Sequence, residues 1–423
     1  MLTREDCLNL DARDPLAPLR ALFVIPDDVI YLDGNSLGVL PKATAPRVQQ
    51  VINDEWGRGL IRSWNTAGWI DLPRRIGDKI ARLIGAGPGE VVAADSTSVN
   101  LFKVLSAALR LARTGDSARR VVLSERSNFP TDLYIAESLC RDAGAELVLV
   151  APEEIPARLR PDVAVLLLTQ ANYRTGLLHD LAALTTAAHA AGALIVWDLA
   201  HSAGAMPVDV KGAGADFAVG CGYKYLNGGP GAPAFVWVHP RHAGSFTQPL
   251  SGWMGHAAPF DFAPHYRPAE GIARYLCGTP TVLGMVALEC GVDTVLAAEP
   301  LGGLAALRAK SIALTDLFVR LIKERGAGHD FTVVSPADPA RRGSQVCLTR
   351  PEGGYAIMQA LIARGVIGDF RAGDALMPDI MRFGFTPLYT RYADVWDAIG
   401  HLEAVMRTDE WREPRFNRKH PVT

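Results

Sequence analysis

Between about residue 91 and residue 238 the chain alternates short, uninterrupted apolar runs with amphipathic segments. The runs at 121–123, 147–150, 163–168, 194–197, 217–219 and 234–238 lack the polar alternation of a strand with one wet face. They predict strands buried on both sides. Segments 101–112, 131–143 and 181–190 repeat apolar residues at helical spacing and predict the intervening helices. The class is therefore α/β, with a mostly parallel sheet covered on both faces by helices. Ligands bind such sheets beyond the carboxyl ends of the strands, so the polar residues that follow each run are the candidates for chemistry.

Proline and glycine become dense from Pro230 to Pro280, which predicts loops and a crossing segment. Helical patterns resume at 281–296 and 304–324. Strand-like runs at 331–335, 345–349 and 380–383 then alternate with helices at 354–364 and 392–407, the pattern of a smaller C-terminal α+β domain. The expected division is an N-terminal segment, 1–55, partly packing with the small domain; a large domain, 56–295; and the small domain, 296–423. A chain of 423 residues is long for one core, which agrees with that division.

Composition narrows the function classes. A net charge of −2 does not call for nucleic acid or an anionic membrane as partner. The first residues mix charges from position 4 onward, unlike a signal peptide, and no apolar run approaches a membrane span. Six cysteines are scattered without a CxxC pair, so neither a metal site nor a disulfide framework is expected. A cytoplasmic enzyme is the expectation.

The chemistry centres on CGYKYLNGGPG at 221–231 and WDLAH at 197–201. Lys224 lies in a glycine-rich turn, where backbone can approach a planar cofactor. Asp198 ends the apolar run before it. One lysine to condense with an aldehyde and one buried carboxylate to face a pyridine nitrogen are the requirements of pyridoxal phosphate (PLP). Each residue also has a plainer reading: Lys224 as a surface lysine in a turn, Asp198 as a cap for the segment at Leu199, His201 as a core histidine. A phosphate cradle fits the run from Asp95 through Thr97 and Ser98, at the start of a predicted helix whose free N–H groups attract anions; a plain Ser/Thr cap reads equally well. In the stretch 128–132, Phe129 suits stacking on a ring and Asp132 suits support of Asp198; the alternatives are a core phenylalanine and a first-turn aspartate. Arg382, between Met381 and Phe383, suits bidentate grip of an α-carboxylate, with partial burial expected from those neighbours.

Together these residues resemble the fold-type I PLP enzymes of the aminotransferase class V branch, and within it the kynureninase family. The resemblance spans nearly the whole chain. It is carried by YLDGNSLG at 31–38, RSWN at 62–65, SNFPTD at 127–132, WDLAHSAG at 197–204, GYKYLNGGPG at 222–231, GWMGH at 252–256 and GSQV at 343–346. It implies a seven-stranded-type sheet in the large domain, a homodimer with active sites at the subunit interface, and hydrolytic Cβ–Cγ cleavage of L-kynurenine to anthranilate and L-alanine in tryptophan breakdown. It further implies Lys224 as the cofactor-linked lysine, with Asp198 and Asp132 by the ring nitrogen and Phe129 stacked above the ring. Thr97, Ser98, Tyr223, Trp253 and Thr279 would surround the phosphate, His201 and Thr169 would line the cofactor, and Asn35, Ser36, Trp64 and Arg382 would face the substrate. Tyr223, beside Lys224, is the candidate proton relay. Trp64 and Thr279 match a kynurenine-preferring pattern rather than one for the ring-hydroxylated substrate. The competing activity is a cysteine desulfurase or selenocysteine lyase, which needs an exposed late cysteine; the one candidate, Cys347, reads as a buried strand residue. A PLP-free homologue that kept the fold and lost the chemistry is the other alternative.

Overall fold

The computed structural model describes residues 2–115, 118–242, 244–245, 248–326 and 328–419. The chain forms two compact units: Ala43–Asn172 with His179–Asp293, and Met1–Lys42 with Tyr173–Leu178 and Thr294–Thr423.

The larger unit is built on a seven-stranded sheet in the order Val91–Ala94, Ala234–Val238, Phe217–Gly220, Leu194–Asp198, Val163–Thr169, Val121–Glu125, Glu146–Val150. The last five run parallel, and Ala234–Val238 pairs antiparallel with both of its neighbours. Every residue of Val163–Thr169 is buried, as expected of a central strand with helices on both faces. Full burial of each such aliphatic side chain contributes roughly 1.5–3 kcal/mol, so an apolar run of this length stays at the sheet centre. Three adjacent strands reach their carboxyl ends with a polar residue: Glu125, Thr169 and Asp198. The apolar runs in the sequence stop just short of these residues, and the backbone ladder carries one or two positions further.

Helices Thr97–Gly115, Pro130–Ala143 and Leu181–Ala190 fall where helical spacing places them. The segment Val51–Gly59 winds as a π-helix. Its Glu55 carboxylate accepts from the Trp69 indole at 2.7 Å and from Arg47 at 2.6 Å, and the Glu55 carbonyl accepts from Ser63 Oγ at 2.5 Å. These bonds hold the short helix Ser63–Thr66, which carries Trp64.

The smaller unit holds an antiparallel sheet in the order Asp369–Arg371, Ile380–Gly384, Gln345–Thr349, Thr332–Val333. A parallel pair, Ile30–Tyr31 with Val366–Ile367, draws the N-terminal segment onto this unit. The strand expected over 331–335 is only Thr332–Val333, because the Ser335 hydroxyl takes over from the backbone and accepts from Cys347 N at 2.8 Å. Helices Gly303–Arg325, Gly354–Ala363 and Tyr392–Arg407 supply a core that includes Leu314, Phe318, Ile357, Leu361, Val395 and Leu402. Among the described residues, no helix is long and apolar enough to cross a membrane.

Candidate active site

Lys224 sits in the turn after Phe217–Gly220, and the glycine before it is sterically required: a Cβ on Gly222 would lie 2.2 Å from the Pro233 carbonyl. The turn is closed by Gly228 N donating to Gly222 O at 2.8 Å and Asn227 N to Lys224 O at 3.0 Å. Lys224 Nζ lies 5.7 Å from the centre of the Phe129 ring and 5.8 Å from that of Tyr223. Phe129 stands immediately before helix Pro130–Ala143 and is 36% exposed.

Asp198 and Thr169 are register partners at the ends of adjacent parallel strands. Asp198 is buried and accepts from Ala200 N at 2.7 Å, so it does cap the chain beyond it, as the plainer reading had it. That bond occupies one oxygen. Asp132, in the first turn of its helix, is also buried and shares a hydrogen bond with Asp198 that raises Asp132 and lowers Asp198. Burial, and then the charge of Asp198, push the Asp132 carboxyl well above the ordinary carboxylate range. Burial raises Asp198 as well, against the pull of Lys224, the Ala200 amide and Asp132. A negative charge on this desolvated pair is favoured by a cation beside it, the role Lys224 plays here. Thr169 Oγ1 approaches Asp132 Oδ2 at 3.4 Å and also donates to Asn128 Oδ1. His201 is buried in the turn that follows Asp198.

At the N-terminus of helix Thr97–Gly115, Ser96 Oγ accepts from Val99 N at 3.3 Å and takes the cap. Thr97 Oγ1 is buried and has no hydrogen-bond partner, and Ser98 stands beside it in the first turn. Behind this turn lies Lys103, fully buried, whose Nζ bonds the Asp95 carboxylate and, at 2.6 Å, the Tyr275 carbonyl. Asp95 holds φ at 45°, a left-handed conformation that costs a non-glycine residue energy and is kept by those contacts. One buried ammonium thus ties the head of the helix to the loop that continues to Thr279.

The structure brings Phe129, Asp132, Thr169, Asp198, Tyr223 and Lys224 together. Trp64 packs edge-on against Trp69, and Trp253, 37% exposed, against Phe260; Thr279 is exposed. Among the described residues, no hydrogen bond, ion pair or ring contact ties these three to the Lys224 cluster.

Within the smaller unit, Arg382 lies on the strand Ile380–Gly384 and is only 2% exposed, more deeply buried than its neighbours suggested. Its Nη2 meets Asp369 Oδ2 at 2.5 Å and donates to Ser36 Oγ at 2.5 Å; Nη1 donates to Tyr173 O at 3.2 Å. Asn35 Nδ2 donates to Gln345 Oε1 at 3.2 Å, and Asn35 Oδ1 has no partner. A Cβ on Gly34 would sit 2.2 Å from the Tyr389 hydroxyl, so this turn of the YLDGNSLG segment is pressed against its surroundings.

Sequence reasoning missed Lys103, Asn128 and the pair Asp33 and Asp369. Asp369 is the register partner of Arg382, and that pairing is visible only once the strands are aligned. Also missed was a buried network in which Glu125 Oε2 meets His179 Nε2 at 2.6 Å and Glu125 Oε1 accepts from Asn172. Cys347 is buried in a strand with its thiol pushed up to about 11 by burial, which does not suit an exposed sulfur nucleophile.

These features fit PLP. A partly exposed aromatic ring, a lysine over it, a buried carboxyl pair that a cation stabilises, and an unpartnered hydroxyl at a helix N-terminus match its ring, aldehyde, pyridinium nitrogen and phosphate in turn.

Comparison with known proteins agrees. The model of the kynureninase C-terminal domain matches residues 307–402. The chain is 55% identical over 426 aligned residues to kynureninase of Pseudomonas fluorescens, with 100% of each chain covered. It is equally similar, at 55% over 426 residues and 100% of both chains, to kynureninase of Burkholderia pseudomallei strain K96243. Among solved structures, the apo cysteine desulfurase of Thermococcus onnurineus NA1 shares the fold, with a TM-score of 0.79 at 19% identity over 92% of this chain and 98% of that one. A cystine C–S lyase complex does so with a TM-score of 0.77 at 16% identity over 89% and 98%. Those two likenesses concern the fold, whereas identity above one half along the entire length makes this chain a member of the kynureninase family.

Proposed function

We infer that the enzyme catalyses PLP-dependent hydrolysis of the Cβ–Cγ bond of L-kynurenine, giving anthranilate and L-alanine. Whole-length identity of 55% to kynureninases carries this reading. Bound PLP supplies an electron sink for charge developing on the substrate carbons.

In this reading the Lys224 amine would hold the cofactor aldehyde and, when free, would move the Cα proton. Asp198, backed by Asp132, would keep the ring nitrogen protonated; Phe129 would cover the ring face, and Thr169 and His201 would line its edges. Thr97, Ser98 and Tyr223 would bind the phosphate, and Tyr223 would deliver a proton to Cβ after water has added to the γ-carbonyl carbon and the Cβ–Cγ bond has broken, its electron pair staying with Cβ. Asn35 and Ser36 position the substrate, Trp64 offers its aryl ring a flat apolar wall, and Arg382 grips its α-carboxylate. The exposure of Trp253 and Thr279 supports a homodimer in which they complete the phosphate site of the neighbouring copy. Six free cysteines support a cytoplasmic location.

Purified enzyme supplied with PLP and L-kynurenine is expected to release fluorescent anthranilate and L-alanine in equal amounts. Sulfide from cysteine, with no anthranilate, would move the chain to the desulfurase activity instead.

Lys103 gives a second test. Lys103→Met removes the tie between Asp95 and the Tyr275 carbonyl and frees the loop that leads to Thr279. PLP affinity, read by absorbance titration of the apoenzyme, is expected to fall about tenfold or more, since a charge-assisted bond is worth about 1.5–3 kcal/mol.

A further inference from the structure

Arg382 is a guanidinium with capacity to spare. Its Nε is buried and has no hydrogen-bond partner. Around it stand two carboxylates of unequal standing. Asp369, 2% exposed, is saturated: Oδ2 meets Arg382 at 2.5 Å and Arg371 Nε at 2.6 Å. Asp33 is held off: its Oδ1 lies 3.9 Å from Arg382 Nη2, is buried and accepts no hydrogen bond.

Charges in this cluster balance before substrate arrives. Arg371 and Arg382 are each +1, and Asp369 and ionised Asp33 are each −1. The other titratable groups that face it are Tyr31, Tyr389 and Cys347, all kept neutral by burial. Ser36 hydrogen-bonds both Asp33 and Arg382 and brings no charge. An α-carboxylate settling on Arg382 adds one negative charge in a place with little water to screen it. Asp369 cannot yield, because it is ion-paired on two sides. Asp33 can.

We propose that Asp33 takes up a proton when the substrate α-carboxylate binds Arg382, and so acts as a positioning residue that sets the pH range of tight substrate binding. This rests on the reading of Arg382 as the carboxylate anchor. Asp33 is poised for the role: burial pushes its carboxyl up to about 7, with Arg382 pulling down and Asp369 pushing up. A third carboxylate nearby pushes it further in the same direction.

The sign follows from linkage. Below about pH 7 Asp33 already holds its proton and binding is independent of this group. Above it, binding must draw a proton from solution, and KM rises about tenfold per pH unit until the complex itself titrates. The test measures KM for L-kynurenine between about pH 6 and 9 on holoenzyme of the wild type, Asp33→Asn and Arg382→Gln. The wild-type slope above neutrality should disappear in Asp33→Asn. Proton uptake on binding L-alanine near pH 8, followed with an indicator dye, should be lower in Asp33→Asn by up to about one proton. A flat wild-type profile, or an Asp33→Asn profile parallel to wild type, overturns the proposal. If Arg382→Gln leaves KM unchanged, the anchor reading itself fails. A large rise in KM there, with an unaltered slope in Asp33→Asn, removes only the role of Asp33.

Discussion

Lys224→Ala is expected to lower kcat by about three orders of magnitude or more, the scale of losing a group that both anchors the cofactor and moves a proton. The reason lies in the turn that carries it. Gly222 admits the Pro233 carbonyl at a distance no side chain tolerates, and the backbone bonds around Asn227 and Gly228 fix where the lysine stem departs. No other lysine shares that position: Lys103 is spent on Asp95 and Tyr275, and Lys310 on Asp14 and the Pro387 carbonyl. Borohydride reduction followed by peptide mass mapping should place the pyridoxyl group on the Lys224 peptide in the wild type and on no peptide in the variant. A label found on another lysine, or turnover within tenfold of wild type, would take the anchoring role away from this residue. Activity partly restored by a small added amine would separate the lost proton carrier from a lost fold.

Features governed by burial were legible in the sequence, and those governed by register were not. A parallel sheet covered on both faces demands continuous apolar runs, so the five central strands could be read to within a residue or two. Asp198 announced itself by ending such a run. Its partnership with Asp132 was readable as chemistry; the Asp132-to-Asp198 proton arrangement needed the packing of helix Pro130–Ala143 against the strand ends. Arg382 was legible as an ion-pairing group among apolar neighbours, yet its partners lie across strands or hundreds of residues away: Asp369 through sheet register, Ser36 through the N-terminal segment. Lys103 reads in sequence as an ordinary helix lysine, and only the closure of the loop through Tyr275 buries it. The π-helix at Val51–Gly59 has no side-chain cap at its start to mark it.

Asp198→Ala tests the electrostatic half of the site, and two of its effects run in opposite directions. A carboxyl group raised in the folded state opposes folding at neutral pH. Its ionised form is favoured more in the unfolded chain, and that cost grows as pH climbs above the unfolded value. Burial raises both Asp198 and Asp132, so ionising them costs energy that a neighbouring pyridinium cation would offset. The apo variant should therefore melt no lower than apo wild type, while the rise in Tm on adding PLP shrinks. Catalysis should fall about 10²- to 10³-fold, the range for removing one preorganised charge from a buried site. Asp132→Asn, which keeps the Asp198 charge, should lose much less. Loading Asp198→Ala with a cofactor methylated at the ring nitrogen supplies the positive charge without any carboxylate and should recover part of kcat. Failure of that analogue, together with a lower apo Tm, would mean that Asp198 serves as a cap for the turn at Ala200 and not as the counter-charge of the cofactor.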